Sequence, residues 1–393
     1  MKLPPLDWTR RDGLAALVAA LGAADCRYVG GCVRDALAGT AARDIDIATR
    51  HLPEEVMLRL QSAGIRTIPT GIEHGTITAL LTDGPVEVTT LRRDVVTDGR
   101  HAVVAFTCDW QEDAARRDFT INALYADPAT HEITDYFGGL DDLAAHKVRF
   151  IGDAHARIAE DHLRILRFFR FQARFGSEPA DAEALAACSQ GAPMLMALSR
   201  ERVGAELTSL LGLADPVATV RLMSACGVLP TILPSAGPTQ LDTLVVLVAG
   251  ERDADVAPDA MRRLVALLPD ERQAALQAAS RLRLSNAQKK RIACAVEAGD
   301  VDGSHPRALA YRLGMQCAVD RLLLCGKSIA PLRNWQAPRL PVGGRDLMAL
   351  GVDSGPQIAR ILKTVEQCWI EEGFPDEART REILAAQLGS GVA

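Results

Sequence analysis

The residues with the clearest chemical potential are Asp44 and Asp46, in Asp44-Ile45-Asp46-Ile47. In a strand, side chains alternate faces, so the two aspartates point one way while Ile45 and Ile47 turn to the core. Carboxylates at that spacing suit a hard divalent cation. Magnesium is expected, because it prefers oxygen ligands and takes one or two carboxylates together with substrate phosphates. Upstream lies Gly30-Gly31-Cys32-Val33-Arg34-Asp35, whose glycines let backbone N–H groups approach an anion closely. Either motif alone is usually a turn or a cap. A third carboxylate, Glu87, stands in Val86-Glu87-Val88. With both valines in the core, a neighbouring strand could bring Glu87 beside the aspartates; otherwise it is an exposed strand residue. His74 could line the same cleft and is given no chemistry.

Arg116-Arg117-Asp118-Phe119-Thr120-Ile121-Asn122-Ala123-Leu124 suits a nucleotide. The guanidinium fork matches phosphate oxygens, and Asp118 and Asn122 can hydrogen-bond ribose hydroxyls. A capped helix start with Phe119, Ile121 and Leu124 in the core is compatible with that role. The segment from Glu160 to Phe171 is helical in propensity, and Asp161 and Arg164 at i and i+3 would share a helix face. There they would present an acceptor beside a donor fork, imitating the edge of a base; the alternative is an intrahelical ion pair. Arg167, Arg170 and Arg174 form a basic stripe, either an RNA contact or a solvated face.

The positioning elements are legible in outline. Leu14, Leu17, Val18 and Leu21 have the spacing of an amphipathic helix over residues 11–22. Short β-branched runs follow: CRYVGG, DIDIAT, GTITALL and VEVTTL, the last two separated by a turn at Thr82-Asp83-Gly84-Pro85. From about residue 155, Leu/Ala/Arg-rich helical patterns take over, and Pro230, Pro234, Gly237 and Pro238 mark a boundary. With 48% hydrophobic residues the chain can bury a large core. The charged opening MKLPPLDWTRRD is unlike a signal peptide, and no apolar run is long enough for a bilayer span. The nine cysteines form no CxxC or Cys/His cluster, so neither a zinc site nor a disulfide framework is expected, and a reduced cytoplasm is the simplest compartment. Residues 281–345 hold twelve Lys/Arg against four Asp/Glu, a net of +8 in a chain of net −6. Such a split fits an acidic metal-using part and a basic region for a phosphate backbone, with Lys289, Lys290 and Arg291 as RNA contacts; the alternative is a solvated helical surface.

Taken together, GGCVRD with DIDIAT, RRDFTINAL, DYFGGLDDL at 135–143, EDHLRILRFFRF and SRERVGAEL at 199–207 resemble the class II RNA nucleotidyltransferases: the tRNA CCA-adding enzymes and their poly(A) polymerase relatives. The resemblance is close over roughly the first 210 residues, with Leu284-Ser285-Asn286-Ala287 and GGRDLMALGVDSGP at 343–356 also similar to bacterial members. It implies an α+β nucleotidyltransferase head with a small mixed, polymerase-β-like sheet (1–135). An all-α neck (136–212), body (213–280) and RNA-binding tail (281–393) would follow. By the same resemblance, Asp44 and Asp46 would hold two Mg2+ ions and Glu87 would join them in catalysis. Gly30, Gly31 and Arg34 would cradle a triphosphate; Arg117, Asp118 and Asn122 would hold the ribose. Asp161 and Arg164, with Arg167 on the same segment, would read CTP and ATP as a protein template. Ser199, Glu201 and Arg202 would buttress that helix. Leu91 and His162 depart from the common Phe and Pro. The implied partners are the tRNA 3′ end, CTP and ATP, with no membrane and no evident protein partner. The segment from Arg92 to Trp110 resembles the flexible loop that CC-only enzymes lack. Poly(A) addition, CC- or A-only addition, and a catalytically idle RNA-binding scaffold remain as alternatives.

Overall fold

The computed structural model describes residues 1–42, 44–97, 102–352 and 355–389. The chain divides into two compact units, Met1–Pro234 and Ser235–Ala393, and the division falls inside the proline-rich stretch.

The first unit is built on a seven-stranded mixed sheet in the order β3-β4-β5-β2-β1-β8-β9. Its strands are β1 (Cys26–Val29), β2 (Asp46–Thr49), β3 (Arg66–Gly71), β4 (Thr76–Leu81), β5 (Gly84–Thr90), β8 (Leu124–Ala126) and β9 (Ile133–Asp135). Among the described residues, β2 with β5 is the one parallel pairing in this sheet; the other neighbours pair antiparallel. β4 and β5 form the expected hairpin, with Leu81 opposite Gly84 across Thr82-Asp83. Helices α1 (Asp12–Leu21) and α3 (Pro53–Ser62) pack on one face. Leu14, Leu17 and Leu21 of α1 are fully buried against Val56, Leu60, Ile77 and Val88, each side chain contributing roughly 2 kcal/mol. Between β1 and β2 lies α2 (Gly31–Leu37).

The segment resembling a flexible loop contains a hairpin, β6 (Arg92–Thr97) against β7 (Ala102–Phe106). Its Asp98-Gly99 centre lies outside the described residues. The helices that follow are α4 (Trp110–Ala115), α5 (Gly139–Ala144), α6 (Ala154–Glu160), α7 (Arg164–Phe175), α8 (Ala182–Gly191), α9 (Arg200–Leu211), α10 (Val217–Ala225) and α11 (Val228–Ile232). Arg116–Leu124 packs as expected, with Phe119, Ile121 and Leu124 at 0% exposure, but its helical part is one 3-10 turn, Thr120–Asn122.

One expectation is corrected. Glu160–Phe171 is not a single helix: Asp161 is extended (φ −150°, ψ 105°) between α6 and α7. Its Oδ1 accepts the Leu163 N–H at 3.0 Å, a local side-chain bond that competes with helix continuation. Beyond the break, α7 packs Phe168 and Phe171 around Phe119, tying the helical part to the sheet-bearing part.

The second unit is helical: α12 (Pro238–Asp253), α13 (Ala260–Ala266), α14 (Arg272–Arg281), α15 (Asn286–Ala295), α16 (Pro306–Leu313), α17 (Met315–Leu324), α18 (Gly344–Ala349), α19 (Gly355–Glu371) and α20 (Glu377–Gly389). Buried Glu251 accepts from Arg262 and Arg263, and buried Asp320 from Arg262 and Arg291. The expectation of no disulfide is also corrected: Cys294 on α15 and Cys317 on α17 are bonded, with Cα atoms 6.1 Å apart. Their helices are neighbours only in the folded unit, so spacing along the chain did not announce the pair. Among the described residues no helix is long and apolar enough to cross a membrane.

Candidate active site

At the end of β1 the chain turns through Gly30 into α2. Gly30 has φ +69°, a left-handed conformation that glycine adopts without penalty, and an added Cβ would lie 3.3 Å from the Arg117 guanidinium. The turn forms one wall of an open cleft of about 540 Å³. Gly31, Arg34, Asp44, Asp46 and Arg117 line it, as do Asp118, Asn122, Asp161, Arg164 and Arg167.

Asp46 opens β2, with Ile45 and Ile47 buried on either side and Asp44 exposed just before the strand. The parallel pairing of β2 with β5 sets Asp46 opposite Glu87, which is beside the aspartate and also exposed, and which does not line the cleft. Burial, then the nearby Glu87 charge, push the Asp46 carboxyl up to about 6 against the pull of Arg117. Among the described residues, the carboxylates of Asp44, Asp46 and Glu87 make no hydrogen bond or salt bridge. No cluster of three or more His, Cys, Asp or Glu among those residues forms a ready-made metal site. Two unpaired carboxylates facing a cleft still fit magnesium, which completes its shell with water and substrate phosphates.

Arg116 and Arg117 are held by a carboxylate that the sequence did not single out, and Arg167 by one that it did. Asp113 is 1% exposed in its side chain and accepts from Arg116 at 2.7 Å, Arg117 at 3.0 Å and the Tyr125 hydroxyl at 2.6 Å. Burial alone would raise its carboxyl; Arg117 and Arg116 hold it well below the usual carboxylate range. Asp118 accepts from Asn122 at 2.9 Å and, through Oδ2, from Arg167 at 2.7 Å. Asn122 in turn accepts from Arg34. Phosphate-type donors and ribose-type acceptors are thus joined in one network.

Asp161 and Arg164 face the same cleft without sharing a helix. Arg164 donates to Glu160 at 2.5 Å and to the Arg116 carbonyl at 3.2 Å. Asp161 accepts from Arg202 of α9 at 2.7 Å, and the Ser199 hydroxyl caps that helix by accepting the Arg202 N–H. All three arginines of the basic stripe are ion-paired within the fold, Arg167 with Asp118 at 2.6 Å. Arg170 pairs with Glu206 at 2.6 Å while lining the cleft, and Arg174 pairs with Asp35 at 3.0 Å. The i, i+4 spacings Asp113/Arg117 and Glu160/Arg164 were visible in the sequence; the partnerships of Glu206 and Asp35 arise only in the fold. His74 is absent from the cleft lining, and its carbonyl accepts from Arg92.

Lys289, Lys290 and Arg291 lie on α15 of the second unit. Lys290 is exposed and Lys289 half-buried. Arg291 departs from the expected RNA contact: it turns inward to Asp320 at 2.7 Å and Asp259 at 2.8 Å, because buried Asp320 requires cationic partners.

Residues 26–149 match the family described as "Poly A polymerase head domain", and residues 181–238 match "Probable RNA and SrmB- binding site of polymerase A". The mitochondrial CCA tRNA nucleotidyltransferase 1 of Danio rerio is 38% identical over 365 residues, covering 88% of this chain and 83% of that protein. Its Homo sapiens counterpart is 35% identical over 384 residues, covering 90% and 84%. The Bacillus stearothermophilus CCA-adding enzyme in complex with CTP superposes with a TM-score of 0.76 at 26% identity, covering 97% of this chain and 98% of that one. The Thermotoga maritima CCA-adding enzyme complexed with tRNA_CCA has the same fold, at a TM-score of 0.71 and 19% identity over 97% and 98%. Sequence likeness along nearly the whole chain and a shared fold place this protein in the CCA-adding tRNA nucleotidyltransferase family.

Proposed function

We propose that this protein builds or repairs the 3′-terminal CCA of tRNA from CTP and ATP, releasing pyrophosphate. The observation that carries the reading is one cleft holding two unpaired aspartates, a left-handed glycine turn, arginines poised for phosphate and the Asp161/Arg164 pair. Gly30 and Gly31 bring backbone N–H groups to the triphosphate, and Arg34 and Arg117 neutralise it. Asp118 and Asn122 bind the ribose hydroxyls and so favour ribonucleotides. Asp161 and Arg164, with Arg167 beside them, match the base edge, releasing the internal partners Arg202 and Glu160 as nucleotide enters. The 3′-oxygen of the RNA attacks the α-phosphorus in line, and the bond to the bridging oxygen of the β-phosphate breaks. Divalent cations, most simply Mg2+, held by Asp44 and Asp46 with substrate phosphates, would activate that 3′-hydroxyl and offset charge on the transferring phosphoryl group. Glu87 contributes a third negative charge beside Asp46.

The further assignments belong to the same reading: a head to residue 135, a neck to 212, a body to 280, a tail beyond that meets the tRNA through Lys289 and Lys290, and a cytoplasmic setting. The test is addition to a tRNA ending at its discriminator base, with CTP and ATP supplied singly and together. Two cytidylates followed by one adenylate support the reading, and a long A tract overturns it in favour of the poly(A) alternative.

A further inference from the structure

Arg34 lines the cleft, and besides its bond to Asn122 it is held by Asp35 and by residues of α7. Asp35 is buried and accepts from Arg34 through Oδ1, at 2.8 Å from Nε and 2.6 Å from a terminal nitrogen. Its Oδ2 accepts from Arg174 at 3.0 Å, far along the chain on α7. The same helix supplies Phe175, whose ring lies 4.4 Å from the Arg34 guanidinium and 4.8 Å from that of Arg174. Phe171 takes the other contact with Arg34, at 4.9 Å. One helix thus fixes the arginine by stacking and by an ionic strap through Asp35.

The charges matter as much as the contacts. Arg34 and Asp35 alone would be neutral as a pair, and a neutralised arginine attracts a triphosphate weakly. With Arg174 on the second carboxylate oxygen, the trio carries one net positive charge in a partly desolvated place, where an unshared charge acts strongly. We propose that Arg174 is a positioning residue for nucleotide binding: through Asp35 it orients Arg34 and keeps the triphosphate cradle cationic. This rests on the assignment of Arg34 to the triphosphate. It predicts an effect blind to the base, since the strap acts at the phosphate end.

Arg174 is 29% exposed in its side chain, so Met can replace its stem without opening a cavity. Steady-state addition by Arg174→Met, Arg174→Gln, Arg174→Lys and Arg34→Ala is compared for CTP and ATP, with inorganic tripolyphosphate as a competitor. For Arg174→Met and Arg174→Gln, KM for both nucleotides rises about five- to twentyfold, as expected for weakening one charge-assisted contact, while kcat stays within about twofold. The tripolyphosphate inhibition constant rises by the same factor. Arg174→Lys, which keeps the charge, recovers most of the loss. An unchanged KM in Met and Gln variants, alongside a raised KM in Arg34→Ala, overturns the strap and leaves the cradle assignment standing. An unchanged KM in Arg34→Ala overturns the cradle assignment itself. A change confined to one nucleotide, a loss confined to kcat, or a Lys variant as impaired as Gln also overturns the strap. If both neutral variants fail to fold, the Lys variant decides: it must fold and keep KM within about threefold of wild type.

Discussion

Asp46 shows what the site costs the free protein. Its carboxyl is raised to about 6, so the folded state binds that proton more tightly than the unfolded chain does. The associated stability is complete well below the ordinary carboxylate value and is lost as pH rises through about 6. At pH 8 without metal, the ionised group therefore strains the fold. Asp46→Asn should abolish nucleotide addition, leave RNA binding nearly intact, and stabilise the metal-free protein at pH 8 by about 1–3 kcal/mol. Melting curves in chelator should show the gain shrinking toward zero at pH 4; a gain independent of pH would show that Asp46 does not titrate as described. Gly30→Ala should raise KM for both nucleotides, because φ +69° disfavours a Cβ and the methyl would meet Arg117 at 3.3 Å. Steady-state kinetics with an unaltered KM would count against the turn as a phosphate cradle. Asp46 and Glu87 were legible as neighbours because alternation in two short strands settles which side chains share a face, whereas Asp44 reaches the cleft from just before β2. Asp113, Asp35 and Glu206 were less so, since a carboxylate that serves an arginine has the same local signature as one that serves solvent.

At the scale of elements, the break at Asp161 explains how Asp161 and Arg164 reach one cleft without sharing a helix. Propensity favoured a continuous helix from Glu160; the bond from Leu163 N–H to Asp161 and the pull of Arg202 outweighed it. Arg164→Ala should accordingly blur the choice among CTP, ATP, UTP and GTP by about tenfold to a hundredfold, more than it slows the best nucleotide. Unchanged discrimination in single-nucleotide incorporation would return Arg164 to a purely structural partner of Glu160. The α5 helix has a different task. Gly139 packs so closely that a Cβ would lie 2.2 Å from the Thr120 carbonyl, on the turn that carries Asn122. Gly139→Ala should destabilise the first unit by about 2–4 kcal/mol, read by denaturant titration. A loss below about 0.5 kcal/mol would mean that the turn yields freely. The motif DYFGGLDDL was recognisable in the sequence, but that its second glycine presses on the Thr120 turn was not.

For the whole molecule, the separation of charge along the chain was visible from counting, and its structural use was only half visible. Lys289 and Lys290 stay on the α15 surface while Arg291 closes a buried ionic network, a distinction no run of basic residues can make. Neutralising Lys289 and Lys290 together should reduce the slope of log affinity against log salt for tRNA by about 1.5–2 with little change in melting. Arg291→Ala should instead lower stability by about 1–3 kcal/mol, because it removes one of the two arginines that pair with buried Asp320. Filter binding across a salt series, paired with thermal melts, separates the two; an unchanged slope in the lysine variant would move the RNA path off α15. The Cys294–Cys317 bond was equally hidden, since it joins two helices that only the folded second unit brings together.

CCA addition is read on a single-nucleotide-resolution gel of products from a tRNA that ends at its discriminator base. Wild-type protein with magnesium, CTP and ATP should extend it by C, C and A and then stop, with CTP alone giving two additions. Asp46→Asn should give none. A poly(A) ladder or indiscriminate use of UTP and GTP would rule out CCA addition, and full activity in Asp46→Asn would rule out the aspartates as its catalytic centre.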